Sequence, residues 1–174
     1  AVGKLLDVTH TDAIGDTVVD IEGKVGPIDV LVNNAGYGYE SILEESTLAS
    51  WRKQFDVNVF GAVAMMQAVL PYMRRRKRGH IVNITSMGGY ITLPGLSAYH
   101  GTKFALEGIS ESLAREVADL GIKVTAVAPG AFRTDWAGRS LVRGERSIAD
   151  YDAVFDPVRA RRQSVSGKQP GDPA

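Results

Sequence analysis

A tyrosine and a lysine four residues apart, Tyr99 and Lys103 in the run Tyr-His-Gly-Thr-Lys, fall on one face of any helix that contains both. A phenol, with a reference pKa near ~10, is a poor base at neutral pH. An ammonium at about 5 Å, in surroundings of effective dielectric ~20, stabilises the phenolate by roughly 3 kcal/mol. That is about 2 pK units, and it predicts a tyrosine brought toward physiological pH and able to give and take a proton. The same spacing also describes an ordinary surface pair on an amphipathic helix, so the neighbouring residues decide between the two.

Ser86 directly follows the apolar run at residues 80–85 (HIVNIT), which has the character of a buried strand. In an open parallel sheet, ligands bind beyond the carboxyl ends of the strands, and a hydroxyl there can donate to an oxygen that becomes an alkoxide. Gly88-Gly89 and Pro94-Gly95 mark the loop between Ser86 and Tyr99, long enough to bring both hydroxyls to one substrate oxygen. Asn33-Asn34-Ala35-Gly36 closes another apolar run and suits a backbone passing close to a flat ligand. Asn58 is a polar residue in an otherwise apolar helical stretch and needs a partner if buried. Pro129-Gly130, with Thr134 shortly after, ends a further strand and can place backbone groups around an amide-bearing ring. Taken singly, Ser86 also fits an ordinary turn serine and Asn33 to Gly36 an ordinary strand-ending turn.

The elements that must position these residues alternate strand and helix, which predicts a parallel sheet with helices on both faces. Residues 4–8 (KLLDV) read as the end of a short buried strand, followed by a helix over 12–25 with Thr9 or Thr11 as cap. Residues 28–33 (IDVLVN) form a strand, and a helical stretch runs from 46 or 47 to about 78, with a break and with Pro71 late in it. After the strand at 80–85 come a long helix over 97–120, ended by Gly121, and a strand at 123–128. From Ala131 onward the periodicity dissolves. Residues 131–163 read as a substrate-loop region and 164–174 as a polar tail of a single domain, 1–174.

Asn34-Ala35-Gly36, Asn58, Ser86, Tyr99 with Lys103, and Pro129-Gly130 occur in the order and at the intervals of the short-chain dehydrogenase/reductase family, which the chain resembles over nearly its whole length. The Gly36-Tyr37-Gly38 and Gly101-Thr102-Lys103-Phe104-Ala105 runs look most like the branch with 17β-hydroxysteroid and retinol dehydrogenase-like enzymes. The resemblance implies a Rossmann-like doubly wound α/β sheet and an NAD(P)-dependent oxidoreductase interconverting an alcohol and a carbonyl. It makes Tyr99 the general acid/base, Ser86 the carbonyl-polarising donor and Lys103 the ribose-binding amine that lowers the phenol, helped by an oxidised, cationic nicotinamide. Asn58 would hold a relay water near Lys103. Asp7 and Val8 would contact adenine, Asn34, Ala35 and Gly36 would line the cofactor, and Pro129, Gly130, Phe132 and Thr134 would surround its nicotinamide end. It also implies a homodimer or homotetramer built partly on the helix of Tyr99.

The family's glycine-rich cofactor loop does not occur before Asp7, nor does the residue that separates NAD from NADP, so either cofactor fits. The first βαβ unit and the last strand have no counterpart, which predicts a fragment of a longer enzyme whose isolated form is unstable and binds cofactor weakly. Equal numbers of basic and acidic residues, 20 each, give no electrostatic case for nucleic acid, and Arg74 to Arg78 sit where cations suit a helix C-terminus. The chain has no cysteine, which fits a cytoplasmic protein; no apolar run reads as a membrane span, and His10, His80 and His100 lack metal-site spacing. Met87, Tyr90, Leu93 and Trp136 suggest an apolar substrate pocket. A lyase or epimerase using the same Tyr-Lys pair, and a non-catalytic fragment or binding protein on this scaffold, remain the alternatives.

Overall fold

Short apolar runs separated by amphipathic helices produce a three-stranded parallel sheet of order β1-β3-β4, formed by β1 (Val30–Asn33), β3 (Gly79–Ile84) and β4 (Ile122–Val127). The structure, a computed structural model, describes residues 1–173. Register places Leu31 beside Ile81 and Ile81 beside Val124, so these side chains share one face. Three helices cover that face: α1 (Thr11–Lys24), α3 (Gly61–Arg76) and α4 (Ser97–Glu116). Val18 of α1, Met66, Val69 and Met73 of α3, and Leu113 of α4 close over Leu31, Ile81 and Ile122. Each large apolar side chain so buried contributes roughly 1.5–3 kcal/mol.

The opposite face differs from expectation. Val30, Val32 and Val127 point to it and are 53%, 55% and 40% exposed, while all three core helices lie on the Leu31 side. Residues 4–8 do not form the expected strand: the segment is irregular and Leu5 is fully exposed. A strand exists only through its ladder, and among the described residues no strand pairs with the outer edge of β1. Helix α1 begins after His10 without a side-chain cap; Thr9 instead donates through its amide and hydroxyl to Asp7 Oδ1, at 2.9 and 2.8 Å.

The central helix is not broken but widens midway, running from Leu48 to Arg76 through a π-helical turn. Helix α2 (Leu48–Phe55), capped by Thr47, passes into α3 through a π-helical turn, Asp56–Phe60, which carries Asn58. By length and hydropathy the stretch Leu48–Arg76 could cross a bilayer, contrary to the reading of the sequence; here Val69 and Met73 are fully buried under the sheet. At its C-terminus Arg76 clamps Glu22 with two contacts, at 2.6 and 3.1 Å, and donates to the Ile28 carbonyl. Part of the basic run therefore joins α3 to α1 and to the start of β1.

Beyond Ala131 the chain is more ordered than its sequence suggests. A short β2 (Gly38–Glu40) pairs in parallel with β5 (Leu141–Arg143), and α5 (Asp152–Val165) follows. Phe155, 2% exposed, seats α5 against Gly95. Gly95 has φ of +79°, and a Cβ on it would lie 2.1 Å from the Phe155 ring. The segment read as a polar tail returns to the body: Gly171 and residues 131–133 exchange backbone hydrogen bonds of 3.0 and 2.9 Å. Its last residue, Ala174, lies outside the described residues.

Candidate active site

Ser86 sits just past the end of β3, and Tyr99 and Lys103 lie in the first two turns of α4, so the topology brings a strand end against a helix start. Ser86 Oγ accepts a hydrogen bond from the Gly88 amide at 3.0 Å, and its hydroxyl lies near enough to the Tyr99 phenol to favour the phenolate. Tyr99 and Lys103 are both buried, and Tyr99 packs against Trp136 with ring centroids 5.3 Å apart. Lys103 Nζ lies 5.8 Å from the centre of the Tyr99 ring and donates to the Ile84 carbonyl at 2.9 Å. The Met87 amide donates to the Pro129 carbonyl at 3.0 Å, which fixes the ends of β3 and β4 relative to each other.

Electrostatics run against one expectation. Burial pushes the Tyr99 phenol above its ordinary value, and the nearby Ser86 hydroxyl only partly offsets this. Burial also pulls Lys103 down to about 8, opposed by the carboxylate of Glu107 one turn further on. Lowering the phenol requires a fully charged ammonium whose attraction outweighs desolvation. In the fold the ammonium is bonded to a carbonyl, is itself desolvated, and does not bring the phenol down. A neutral phenol is the form that can donate a proton.

Asn58 answers the question its burial raises. Its Oδ1 accepts from the Tyr37 amide at 3.0 Å, and its Nδ2 donates to the Tyr37 carbonyl and to Thr102 Oγ1, at 2.9 and 3.2 Å. The side chain therefore clamps the turn after β1 to α4. A Cβ on Gly36 would lie 3.2 Å from Asn58 Oδ1 and 3.9 Å from Lys103 Nζ, so glycine keeps that wall open.

These residues border a cavity of about 680 Å³. Asn34, Gly36, Ser86, Tyr99 and Lys103 line it on the strand-end and helix side, and Pro129, Gly130, Phe132 and Thr134 come from the segment after β4. Asn58 stands directly behind Gly36. Asp7, Val8 and Ala35 are not among its lining residues: Asp7 holds Thr9, and Val8 packs on Gly61. Met87, Leu93 and Trp136 line the cavity as expected, whereas Tyr90 turns away to Glu107 at 2.8 Å. His100, Arg139 and Arg162 also line it and were not singled out as site residues. His100 carried a signal, its place beside Tyr99; Arg162 carried none, because α5 is a polar helix that buries only Phe155.

The open wall at Gly36, the clear space around Gly130 and the inward Lys103 amine fit a flat cofactor with ribose hydroxyls. Comparison with known proteins agrees. The family model described as short chain dehydrogenase matches residues 1–142. The chain is 45% identical over 152 residues to 3-ketodihydrosphingosine reductase of Bacteroides thetaiotaomicron, covering 87% of this chain and 56% of that protein. It is 41% identical over 152 residues to human retinol dehydrogenase 8, covering 87% and 47%. A short-chain dehydrogenase from Streptomyces avermitilis superposes with a TM-score of 0.88 at 42% identity, over 98% of this chain and 62% of that one. A gluconate 5-dehydrogenase from Burkholderia cenocepacia, solved with NADP and tartrate, superposes with a TM-score of 0.74 at 31% identity, over 76% and 52%. The chain thus spans about half the length of the curated relatives it matches. It belongs to the short-chain dehydrogenase family.

Proposed function

We propose that the protein carrying this chain is an NAD(P)-dependent oxidoreductase that interconverts an alcohol and a carbonyl. The observation that carries the reading is the hydroxyl pair of Ser86 and Tyr99 at the mouth of the strands, with Lys103 one helical turn behind. A reduced nicotinamide bound there would supply the hydride of a reduction. Tyr99 gives its proton to the carbonyl oxygen, and Ser86 donates a hydrogen bond to the same oxygen as negative charge builds there. Lys103 would bind the ribose hydroxyls of a bound cofactor. Asn58 holds the Tyr37 turn against α4, beside Gly36 and Lys103.

Met87, Ile91, Leu93, Leu96 and Trp136 favour a substrate with an extended apolar body. The names of two relatives, which refer to retinol and to 3-ketodihydrosphingosine, point the same way. The enzyme assembles as a homo-oligomer through a groove between α3 and α4 that Leu70, Phe104 and Ile109 help line, and a Phe104→Glu variant should elute as a monomer by size-exclusion chromatography with light scattering.

The test follows nicotinamide absorbance of the whole protein with a panel of apolar ketones and aldehydes. Net consumption of NADH or NADPH is expected, and it separates this reading from a lyase or epimerase, which returns the cofactor unchanged. Tyr99→Phe should lower turnover by about 10²–10⁴-fold and leave cofactor binding intact. Normal turnover in that variant refutes the assignment of Tyr99.

A further inference from the structure

His100 follows the tyrosine on α4, is 5% exposed, and uses both ring nitrogens. The Leu93 amide lies 2.9 Å from Nε2, and a backbone N–H can only donate, so Nε2 is the unprotonated acceptor. Nδ1 lies 2.9 Å from the Gly88 carbonyl, which can only accept, so Nδ1 carries the hydrogen. The two partners select one neutral tautomer. The same Gly88 residue that His100 holds by its carbonyl oxygen also donates its N–H to Ser86 Oγ at 3.0 Å. A serine hydroxyl has one proton and two lone pairs; with one lone pair occupied by Gly88, its proton is left to point toward Tyr99 and the substrate oxygen. Space is tight around this connection: a Cβ on Gly88 would lie 3.0 Å from His100 Nδ1 and 3.2 Å from Tyr99 Cε1.

We infer that His100 is a positioning residue for the Ser86 hydroxyl, acting through the Gly88 backbone, while its bond to Leu93 fixes the far part of the same loop as a wall of the cavity. The inference rests on the proposed reading of Ser86 and Tyr99 as the reacting hydroxyls. It predicts that hydrogen-bond chemistry at His100, and not its volume, sets the contact between Ser86 and Tyr99. Leucine fills space of similar size but offers no donor. Asparagine carries its amide nitrogen where Nδ1 stands and can donate to Gly88. Glutamine reaches the Leu93 amide but does not replace the donor to Gly88.

The experiment reads the tyrosine itself, so it needs no substrate. In the whole protein, ¹³Cζ-labelled tyrosine is followed by NMR against pH, and Tyr99 is assigned from Tyr99→Phe. Removing the Ser86 contact with Ser86→Ala should raise the Tyr99 titration midpoint by about 0.5–1 unit, the size of one hydrogen bond. His100→Leu and His100→Gln should raise it by a similar amount, and His100→Asn should bring it back near the unsubstituted value. An unchanged midpoint in His100→Leu overturns the inference, as does a rise that asparagine fails to reverse. Should the variants not fold, ¹⁵N spectra of the unsubstituted protein decide. A neutral ring protonated at Nδ1 is required, and a ring protonated at Nε2 refutes the coupling. Failure of the catalytic reading would show separately, as turnover that survives Tyr99→Phe.

Discussion

Lys103 illustrates at the scale of one residue how a functional group and a stable fold compete. In the unfolded chain its amine titrates near ~10.4; in the fold burial lowers this to about 8. Folding therefore disfavours the charged form. The contribution of this group to stability is full above the unfolded value, falls as pH drops toward 8, and is a constant penalty below that. At pH 7 the penalty is roughly 3 kcal/mol. The hydrogen bond to the Ile84 carbonyl returns about 1 kcal/mol of it. Lys103→Met, which keeps the length and removes the charge, should therefore stabilise the whole protein by about 2 kcal/mol at pH 7 while abolishing turnover. Urea unfolding at pH 7 and pH 10 checks the sign: the gap between the two proteins should narrow at the higher pH. On the proposed role of Lys103 as the ribose-binding amine, the same ionisation would govern cofactor affinity, so NADPH binding by the whole protein should weaken as pH rises through 8. Calorimetric titration at pH 7 and 9 measures this, and a Lys103→Arg variant should lose the dependence.

Among the elements, those that bury a continuous apolar stripe were legible in the sequence, and those that are short or bury a single apolar side chain were not. Strands β1, β3 and β4 are apolar runs because they sit side by side in one sheet, and α1 and α4 show helical spacing because each covers that sheet. Helix α5 buries only Phe155, and β2 and β5 have three residues each, so neither leaves a period to read. Within the site, Tyr99, Ser86, Lys103 and Gly36 were found by type and spacing, but the direction of the phenol depends on burial that only packing creates. His100 stands beside Tyr99 in the sequence, but its partners are backbone atoms of a loop, so its role was not legible there. Phe155 is the buried apolar anchor of α5, which is also tied by Arg159 and Arg162 to Glu40 and by Asp152 and Asp156 to Arg146. Phe155→Ala should cost about 3–5 kcal/mol where the helix docks, and Gly95→Ala roughly 2 kcal/mol or more, since it adds both strain at positive φ and a clash with the ring. Because Arg162 of α5 lines the cavity, Phe155→Ala should raise KM for the carbonyl compound while leaving KM for the cofactor near normal. Equal rises in both would place α5 outside the substrate site.

For the whole molecule the governing asymmetry is the sheet, which has a packed face and an open one. Parallel strands read as continuous apolar runs because such sheets are covered on both sides in stable proteins. Here the alternation meets that rule only halfway: Leu31, Ile81 and Ile122 are buried, while Val30, Val32 and Val127 face outward. An apolar sheet face of this kind, next to a β1 edge that no strand pairs with among the described residues, favours association with whatever apolar surface or strand it meets. The 174-residue chain expressed by itself should therefore bind the dye ANS strongly and form soluble aggregates that grow with concentration. Val30→Thr with Val32→Thr should reduce both signals, because the change is confined to the open face and spares the Leu31 side. Dye binding and sedimentation velocity would be measured on the chain and on the double variant. A monomer that leaves the dye dark and unfolds cooperatively and reversibly in urea would mean that the valine face is no liability and that one covered face is enough for this sheet.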